Sequence, residues 1–270
     1  WVLRKKPPGT LLPTAHAIDR EYRVMTALRG TDVPVPRAFL YCDDVSVVGT
    51  EFLVMEFLPG RIFWDPTLPE IAPGARADVY GEMGRVLAAL HRVDHVARGL
   101  GDYGRPGNYF ARQIARWTKQ YLAARTDDLP AMERLVEWLP AHVPDDDTTT
   151  LVHGDFRLDN MIFHASEPRV LGVVDWELST LGHPLADLAY NCMPYHLAPR
   201  GGAPLAQVAG GASGIPTEAA HVAAYCERTG RGSLPTWPFY LAFSLFRYAS
   251  IVQGVYHRGL QGNASSASEA

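Results

Sequence analysis

Residues 151–177 read LVHGDFRLDNMIFHASEPRVLGVVDWE, and this stretch decides how the rest of the chain is read. An apolar pair, Leu151 and Val152, leads into His153-Gly154-Asp155, and a tight polar segment then reaches Asn160. A second apolar run covers Met161 to Phe163, and a third, Val170 to Val174, ends on Asp175. Short apolar runs bounded by turn signals are the pattern of buried strands. Two carboxylates and an amide are therefore expected at the mouths of short strands.

The spacing of these groups carries chemistry. Asp155 and Asn160 are five residues apart, D-x-x-x-x-N, as are the base and a magnesium ligand in protein-kinase catalytic loops. The carboxylate must meet an attacking hydroxyl while the amide oxygen reaches back to a metal on the phosphates, and one short loop can direct both. Asp175 supplies the hard anionic oxygen that magnesium prefers, and Glu177 is a candidate for a second metal or its water. Alone, Asp155 or Asn160 reads as well as a turn residue satisfying nearby backbone amides. In combination with His-Gly-Asp and the strand-terminal Asp175, the pattern predicts magnesium-assisted phosphoryl transfer.

Bulk properties narrow the class. The chain has 270 residues, 47% hydrophobic and 20% charged, with a net charge of −4. That composition builds a substantial core and gives no reason to expect a nucleic-acid partner. Three cysteines, Cys42, Cys192 and Cys226, lie far apart without a CxxC pattern. They argue for a reducing compartment, and against a disulfide framework or zinc site. Trp1 to Lys6 runs straight into Pro7-Pro8-Gly9, which is no signal peptide. The most apolar helix candidate, Trp237 to Phe246, is interrupted by Pro238 and followed by Arg247. It falls short of the roughly 20 apolar residues that a membrane span needs. A cytoplasmic protein with no membrane partner is expected.

Working outward, Val2-Leu3-Arg4 reads as the end of a strand, and Thr14 can cap a helix over residues 15–29 that Gly30 stops. Strands are expected at Ala38 to Cys42 and Phe52 to Phe57, before the turn Leu58-Pro59-Gly60. Helical periodicity then predicts helices over 75–92, 109–124 and 129–139, the last ended by Pro140. A short helix should follow His183-Pro184. Residues 198–216, rich in Gly, Ala and Pro, read as a long mobile loop. Helices over 217–228 and 236–258 follow, with a frayed tail at 263–270. The expected fold is α+β, with a small mixed N-lobe over residues 1–57 and a mainly helical C-lobe over 58–270.

HGDFRLDN followed by VVDWE resembles the aminoglycoside phosphotransferase and choline kinase superfamily, small-molecule relatives of protein kinases. The resemblance covers nearly the whole chain and implies a protein-kinase-like two-lobed fold with ATP and Mg2+ as cofactors. On that likeness Asp155 is the catalytic aspartate, Asn160 and Asp175 are metal ligands, and His153 and Asp187 brace the catalytic loop. Arg4 matches the basic residue that holds the α- and β-phosphates, and Glu21 the helix glutamate that pairs with it. Arg stands where lysine is usual, a bidentate fork in place of a point charge. Met55 to Leu58 matches the hinge, where Glu56 C=O and Leu58 N–H would read the adenine edge. The family's glycine-rich phosphate loop lies on strands before the basic strand, so the N-lobe is expected to be incomplete.

Gly99 to Gln120, GLGDYGRPGNYFARQIARWTKQ, together with LRKKPPG, resembles a subgroup associated with acyl-CoA dehydrogenases. That likeness implies a small-molecule hydroxyl substrate that is CoA-linked, a hydroxyacyl-CoA or related hydroxy acid. Arg112, Arg116 and Lys119 share a helical face and are candidates to meet CoA phosphates, or simply form a solvated basic face. The alternatives are an aminoglycoside- or choline-type kinase, or a nucleotide-binding module without catalysis. Gly99-x-Gly101-x-x-Gly104 fits GxGxxG but follows a helix, so it is expected to be a turn and not a dinucleotide site. A metal hydrolase built on His153, Asp155, Asp175 and His183 lacks a paired-histidine helix and leaves Asn160 without a role.

Overall fold

The structure, a computed structural model, describes residues 1–6, 17–197 and 204–260. In chain order these form β1 (Val2–Lys5), α1 (Ile18–Leu28), β2 (Ala38–Cys42), α2 (Val45–Val48), β3 (Phe52–Met55), β4 (Gly60–Arg61) and α3 (Pro73–His91). Then come α4 (Tyr109–Ala124), α5 (Pro130–Ala141), β5 (Thr150–Val152), β6 (Met161–His164), β7 (Val170–Val173) and β8 (Thr180–Gly182). The chain continues through α6 (Pro184–Asn191), α7 (Leu205–Val208), α8 (Glu218–Thr229) and α9 (Trp237–Leu260). Two compact units result: residues 1–105 with 150–233, and residues 106–149 with 234–270.

In the first unit, β1 and β2 flank β3 in an antiparallel sheet that sets Arg4 opposite Leu53. Strand alternation turns Val2 and Arg4 inward while Leu3 and Lys5 are exposed. Helix α1 buries Ile18, Glu21, Val24, Met25 and Leu28, one stripe at helical spacing, with a carboxylate inside it. Gly30, at φ +73°, turns the chain out of the helix. The expected cap Thr14 lies outside the described residues, and the helix begins at Ile18. Three short pairings carry the stretch that opened the sequence reading: β5 with β8, β6 with β7, and β4 on the free edge of β6. Buried Leu151, Val152, Met161, Phe163, Val170 and Val173 come from those strands.

The second unit joins α4, α5 and α9. Phe110 lies 5.0–5.4 Å from the rings of Phe239, Tyr240 and Phe243, so aromatic packing holds α4 to α9.

Three sequence expectations need correcting. Pro140 does not end α5; it sits in the last turn and the helix runs on to Ala141. A proline there removes one amide bond near an end that is about to fray, a small loss compared with the helix interior. Pro238 likewise lies in the first turn of α9, where amides have no intrahelical partner, so the helix is uninterrupted. Finally, 204–216 is not a featureless loop. It forms α7 and a tight turn in which Gly210 N–H donates to Ile215 C=O at 2.7 Å. Residues 198–203 and the expected tail at 263–270 lie outside the described residues. Among the described residues no helix is long and apolar enough to cross a membrane.

Candidate active site

The Asp155 loop is held by its backbone. Strand β5 ends at Val152, and the next two amides, His153 and Gly154, donate to the Asp187 carboxylate at 2.6 and 2.8 Å. Gly154 adopts φ +85°, and a Cβ there would meet Leu178 C=O at 2.6 Å, so the turn admits only glycine. Burial opposes the Asp187 charge, yet the hydrogen bond and charge of His91 and the His153 amide outweigh it and hold this carboxyl below its usual range. His153 Nδ1 accepts from Asp155 N–H at 3.2 Å, so the ring proton is on Nε2, which donates to Val174 C=O at 3.0 Å. One imidazole thus ties the start of the loop to the strand that ends on Asp175.

Asp155 accepts a side-chain hydrogen bond on one oxygen and forms an ion pair through the other. Asn160 Nδ2 donates to Asp155 Oδ2 at 3.0 Å and to its backbone C=O at 2.8 Å. Both contacts use the amide nitrogen, which leaves the Asn160 oxygen as an acceptor. Asp155 Oδ1 is buried without a hydrogen-bond partner. Arg157 Nε lies 3.0 Å from it as an ion pair, without the alignment of a hydrogen bond. Arg157 also pairs with Asp159 at 3.3 Å. The loop therefore presents a carboxylate with Oδ2 hydrogen-bonded to Asn160 and Oδ1 ion-paired to Arg157.

A second cluster is built from β1, α1 and the turn that follows β7. Arg4 bridges Glu21 at 2.7 Å, Asp175 at 2.7 Å and, more loosely, Glu177 at 3.5 Å. Three carboxylates surround one guanidinium, and their oxygens lie within 4.8 Å of one another. Burial pushes the Glu21 carboxyl up to about 7 against the pull of Arg4, and the neighbouring Asp175 and Glu177 add to the rise. Burial would lower the Arg4 guanidinium, but Glu21 and Asp175 raise it instead. Asp175 has φ +65°, a conformation that a non-glycine residue holds only where its surroundings compel it. The donor set suits a hard divalent cation: oxygens only, with more negative charge than one arginine balances.

Arg4, Glu21 and Asp175 also line a cavity of about 420 Å³ with Met55, Glu56 and Leu58. Glu56 N–H donates to Arg37 C=O at 2.9 Å, and its carboxylate accepts from Arg37 N–H at 3.1 Å. Among the described residues no hydrogen bond engages Glu56 C=O or Leu58 N–H. Apolar walls come from Val2, Met25, Ile62 and Ile162. The cavity thus has apolar sides, a backbone donor–acceptor pair on one wall and a charged end.

All seven residues singled out from the sequence, Arg4, Glu21, Glu56, Leu58, Asp155, Asn160 and Asp175, lie in the first unit. The basic face at Arg112, Arg116 and Lys119 does not present three free cations. The Arg112 guanidinium turns back to Gly107 C=O, and that of Arg116 lies 5.2 Å from the Trp117 ring centre. Sequence reasoning missed His91, Asn191, His221 and Tyr225. Asn191 Nδ2 donates to Phe156 C=O at 3.2 Å, and His221 Nε2 donates to Asn191 Oδ1 at 2.8 Å. His91 stands between Asp187, at 3.4 Å, and the Tyr225 hydroxyl, at 2.7 Å. The position of Asn191, four residues after Asp187, was the available signal, because i and i+4 share a helix face.

Comparison with known proteins identifies the family and the fold. The model of the family described as "phosphotransferase enzyme family" matches residues 1–225. The chain is 51% identical over 270 residues to acyl-CoA dehydrogenase family member 10 of Mus musculus, covering 98% of this chain and 25% of that protein. It spans between 25% and 35% of the length of the acyl-CoA dehydrogenase family relatives it matches. A crystal structure from Ralstonia eutropha, of a protein assigned by name to the aminoglycoside phosphotransferases, superposes with a TM-score of 0.89 at 54% identity. It covers 99% of this chain and 79% of that one. The aminoglycoside phosphotransferase APH(3'')-Id of Streptomyces rimosus, solved with ADP and streptomycin, shares the fold at TM-score 0.57 and 15% identity. It covers 91% of this chain and 86% of that one.

Proposed function

The chain belongs to the phosphotransferase enzyme family, and from that premise we propose that it transfers the γ-phosphate of ATP to the hydroxyl of a small molecule, with Asp155 as base. The observation that carries this reading is the Asp155 carboxylate, with Oδ2 held by Asn160 and Oδ1 buried but unbonded. Arg157 meets Oδ1 as an ion pair at 3.0 Å, which leaves that oxygen able to accept a substrate hydroxyl while aligning the hydroxyl oxygen for attack. Phosphoryl transfer is chiefly positioning and electrostatics, so a rigid carboxylate beside a cation site is what the chemistry requires.

In this reading residues 1–57 form the nucleotide-binding lobe, and 58–270 carry the catalytic loop and acceptor site. Adenine lies against Glu56 C=O and Leu58 N–H, and Arg4, braced by Glu21, steadies the phosphates that are not transferred. Asn160 and Asp175 hold Mg2+, whose charge offsets that of the phosphate oxygens. For the acceptor we propose a hydroxyacyl-CoA or related hydroxy acid, the class implied by the resemblance of residues 99–120; the relatives' names do not by themselves support it, since the chain spans 25% of the length of the first of them. The kinship with aminoglycoside phosphotransferases supports a second reading, in which the acceptor is an aminoglycoside-like alcohol.

Magnesium-dependent ATP consumption across hydroxyacyl-CoAs, hydroxy acids, amino alcohols and aminoglycosides tests both. Turnover with a CoA ester and not with aminoglycosides is expected, and the reverse preference would select the second reading. Nucleotide binding without consumption on any acceptor would instead favour a module lacking catalysis.

A further inference from the structure

The glycine-rich segment 99–104 does not line the cavity of Arg4, Glu56 and Leu58, yet it makes several polar contacts to α1. Arg20 and Arg23, flanking Glu21 on that helix, both reach it. Arg20 Nη2 donates to Tyr103 C=O at 2.7 Å and to Ser179 C=O at 3.1 Å, while its guanidinium lies 4.1 Å from the Tyr103 ring centre. Tyr103 answers from its hydroxyl, which donates to Arg20 C=O at 3.2 Å and shares a hydrogen bond of 2.6 Å with Ser179 Oγ. Arg23 Nη2 donates to Gly99 C=O at 2.8 Å, and its guanidinium pairs with Asp102. Ser179 closes the short turn Trp176–Leu178 that begins directly after Asp175 and contains Glu177.

The glycines make this approach possible. Gly99 has φ +71°. A Cβ on Gly104 would lie 2.4 Å from Thr180 Oγ1 and 2.5 Å from Leu181 N, so any side chain would push the segment off β8. Tyr103 is 1% exposed, so its ring, its hydroxyl and the guanidinium over it form a largely water-excluded joint.

We propose that segment 99–104 is a clasp that fixes α1 so that Glu21 stays against Arg4 and Asp175, making Arg20 and Tyr103 positioning residues for nucleotide binding. The inference rests on the reading of Arg4 as the phosphate anchor. Glu21 is adjacent to Arg20, and the same two residues tie α1 to the turn that carries Glu177. Releasing the clasp therefore frees the glutamate from its place without touching the nucleotide. The GxGxxG spacing then records a loop pressed onto a strand, not a phosphate cradle.

The test uses the full chain, comparing the parent with Arg20→Met, Arg20→Lys and Tyr103→Phe. Hydrogen exchange is followed on α1 and α8, and ATP affinity is measured by calorimetry with magnesium. Arg20→Met should accelerate exchange in α1 while α8 stays protected, and should weaken ATP binding by about tenfold, the loss expected for charge-assisted hydrogen bonds. Tyr103→Phe, which keeps the ring, should weaken it by about threefold, as for a neutral hydroxyl bond. Arg20→Lys should recover part of the loss. Unchanged α1 exchange and ATP affinity in Arg20→Met, or exchange rising equally in α1 and α8, would overturn the clasp. If the parent does not bind ATP, the nucleotide reading fails, while α1 exchange still decides whether the clasp holds the helix.

Discussion

Asp187 and Asn191, one turn apart on α6, hold the same loop on either side of Asp155. Asp187 accepts the amides of His153 and Gly154, and Asn191 donates to the carbonyl of Phe156. Each is held in turn by a histidine from another helix, His91 of α3 and His221 of α8. The Asp155 carboxylate thus sits between two fixed backbone points, held by side chains from α3, α6 and α8.

Replacing Asp187 with alanine should be severe. It leaves two buried amides and His91 without their acceptor, and each orphaned donor is unfavourable by about 1–3 kcal/mol. A loss on the order of 3 kcal/mol or more in urea unfolding is expected, with a smaller loss for Asp187→Asn, which keeps one acceptor oxygen. Near-parental stability of Asp187→Ala would show that the brace is dispensable.

His221 makes this brace sensitive to acid. Burial, with Arg228 nearby, lowers its pKa to about 4, from an ordinary value of 6.5. A histidine depressed on folding contributes stability above its unfolded pKa and loses it as pH falls through the folded value. The parent should lose on the order of 3 kcal/mol relative to His221→Gln between about pH 6.5 and 4. Parallel pH–stability curves for the two proteins would refute this.

Glu21 should act with the opposite sign. Its carboxyl is raised by burial to about 7, so the folded state holds a proton that the unfolded chain has released. That contribution is complete below about pH 4.5 and is lost as pH rises through about 7, with a size on the order of 3 kcal/mol. Thermal melts should show the parent losing ground to Glu21→Gln across that window. A constant difference between the two would place the proton elsewhere.

Asp155→Ala should lower the turnover rate by about 10²- to 10⁴-fold, the range for removing a positioned general base. ATP affinity should be retained, because Asp155 lies outside the cavity that Arg4, Glu56 and Leu58 line. Loss of ATP binding in step with turnover would mean that the variant disturbs the nucleotide site.

Much of this protein could be read locally. The period of apolar residues located α1, α3, α4 and α8 to within a few residues, because a helix face repeats with the chain itself. The D-x-x-x-x-N spacing and the strand ending on Asp175 singled out the candidate groups, since one short loop and one strand mouth suffice to present them. Proline was over-read at Pro140 and Pro238, where it lies within the end turns and not at a break.

Only the tertiary structure decided the partners. Arg4 reaches Asp175 across 171 residues, His91 reaches Tyr225 across 134, and Arg20 reaches Ser179 across 159. No periodicity encodes such pairs, because spacing along the chain records which face a residue occupies, and not which distant face will be packed against it. The candidate groups were legible from the chain; the contacts that hold them come from packing.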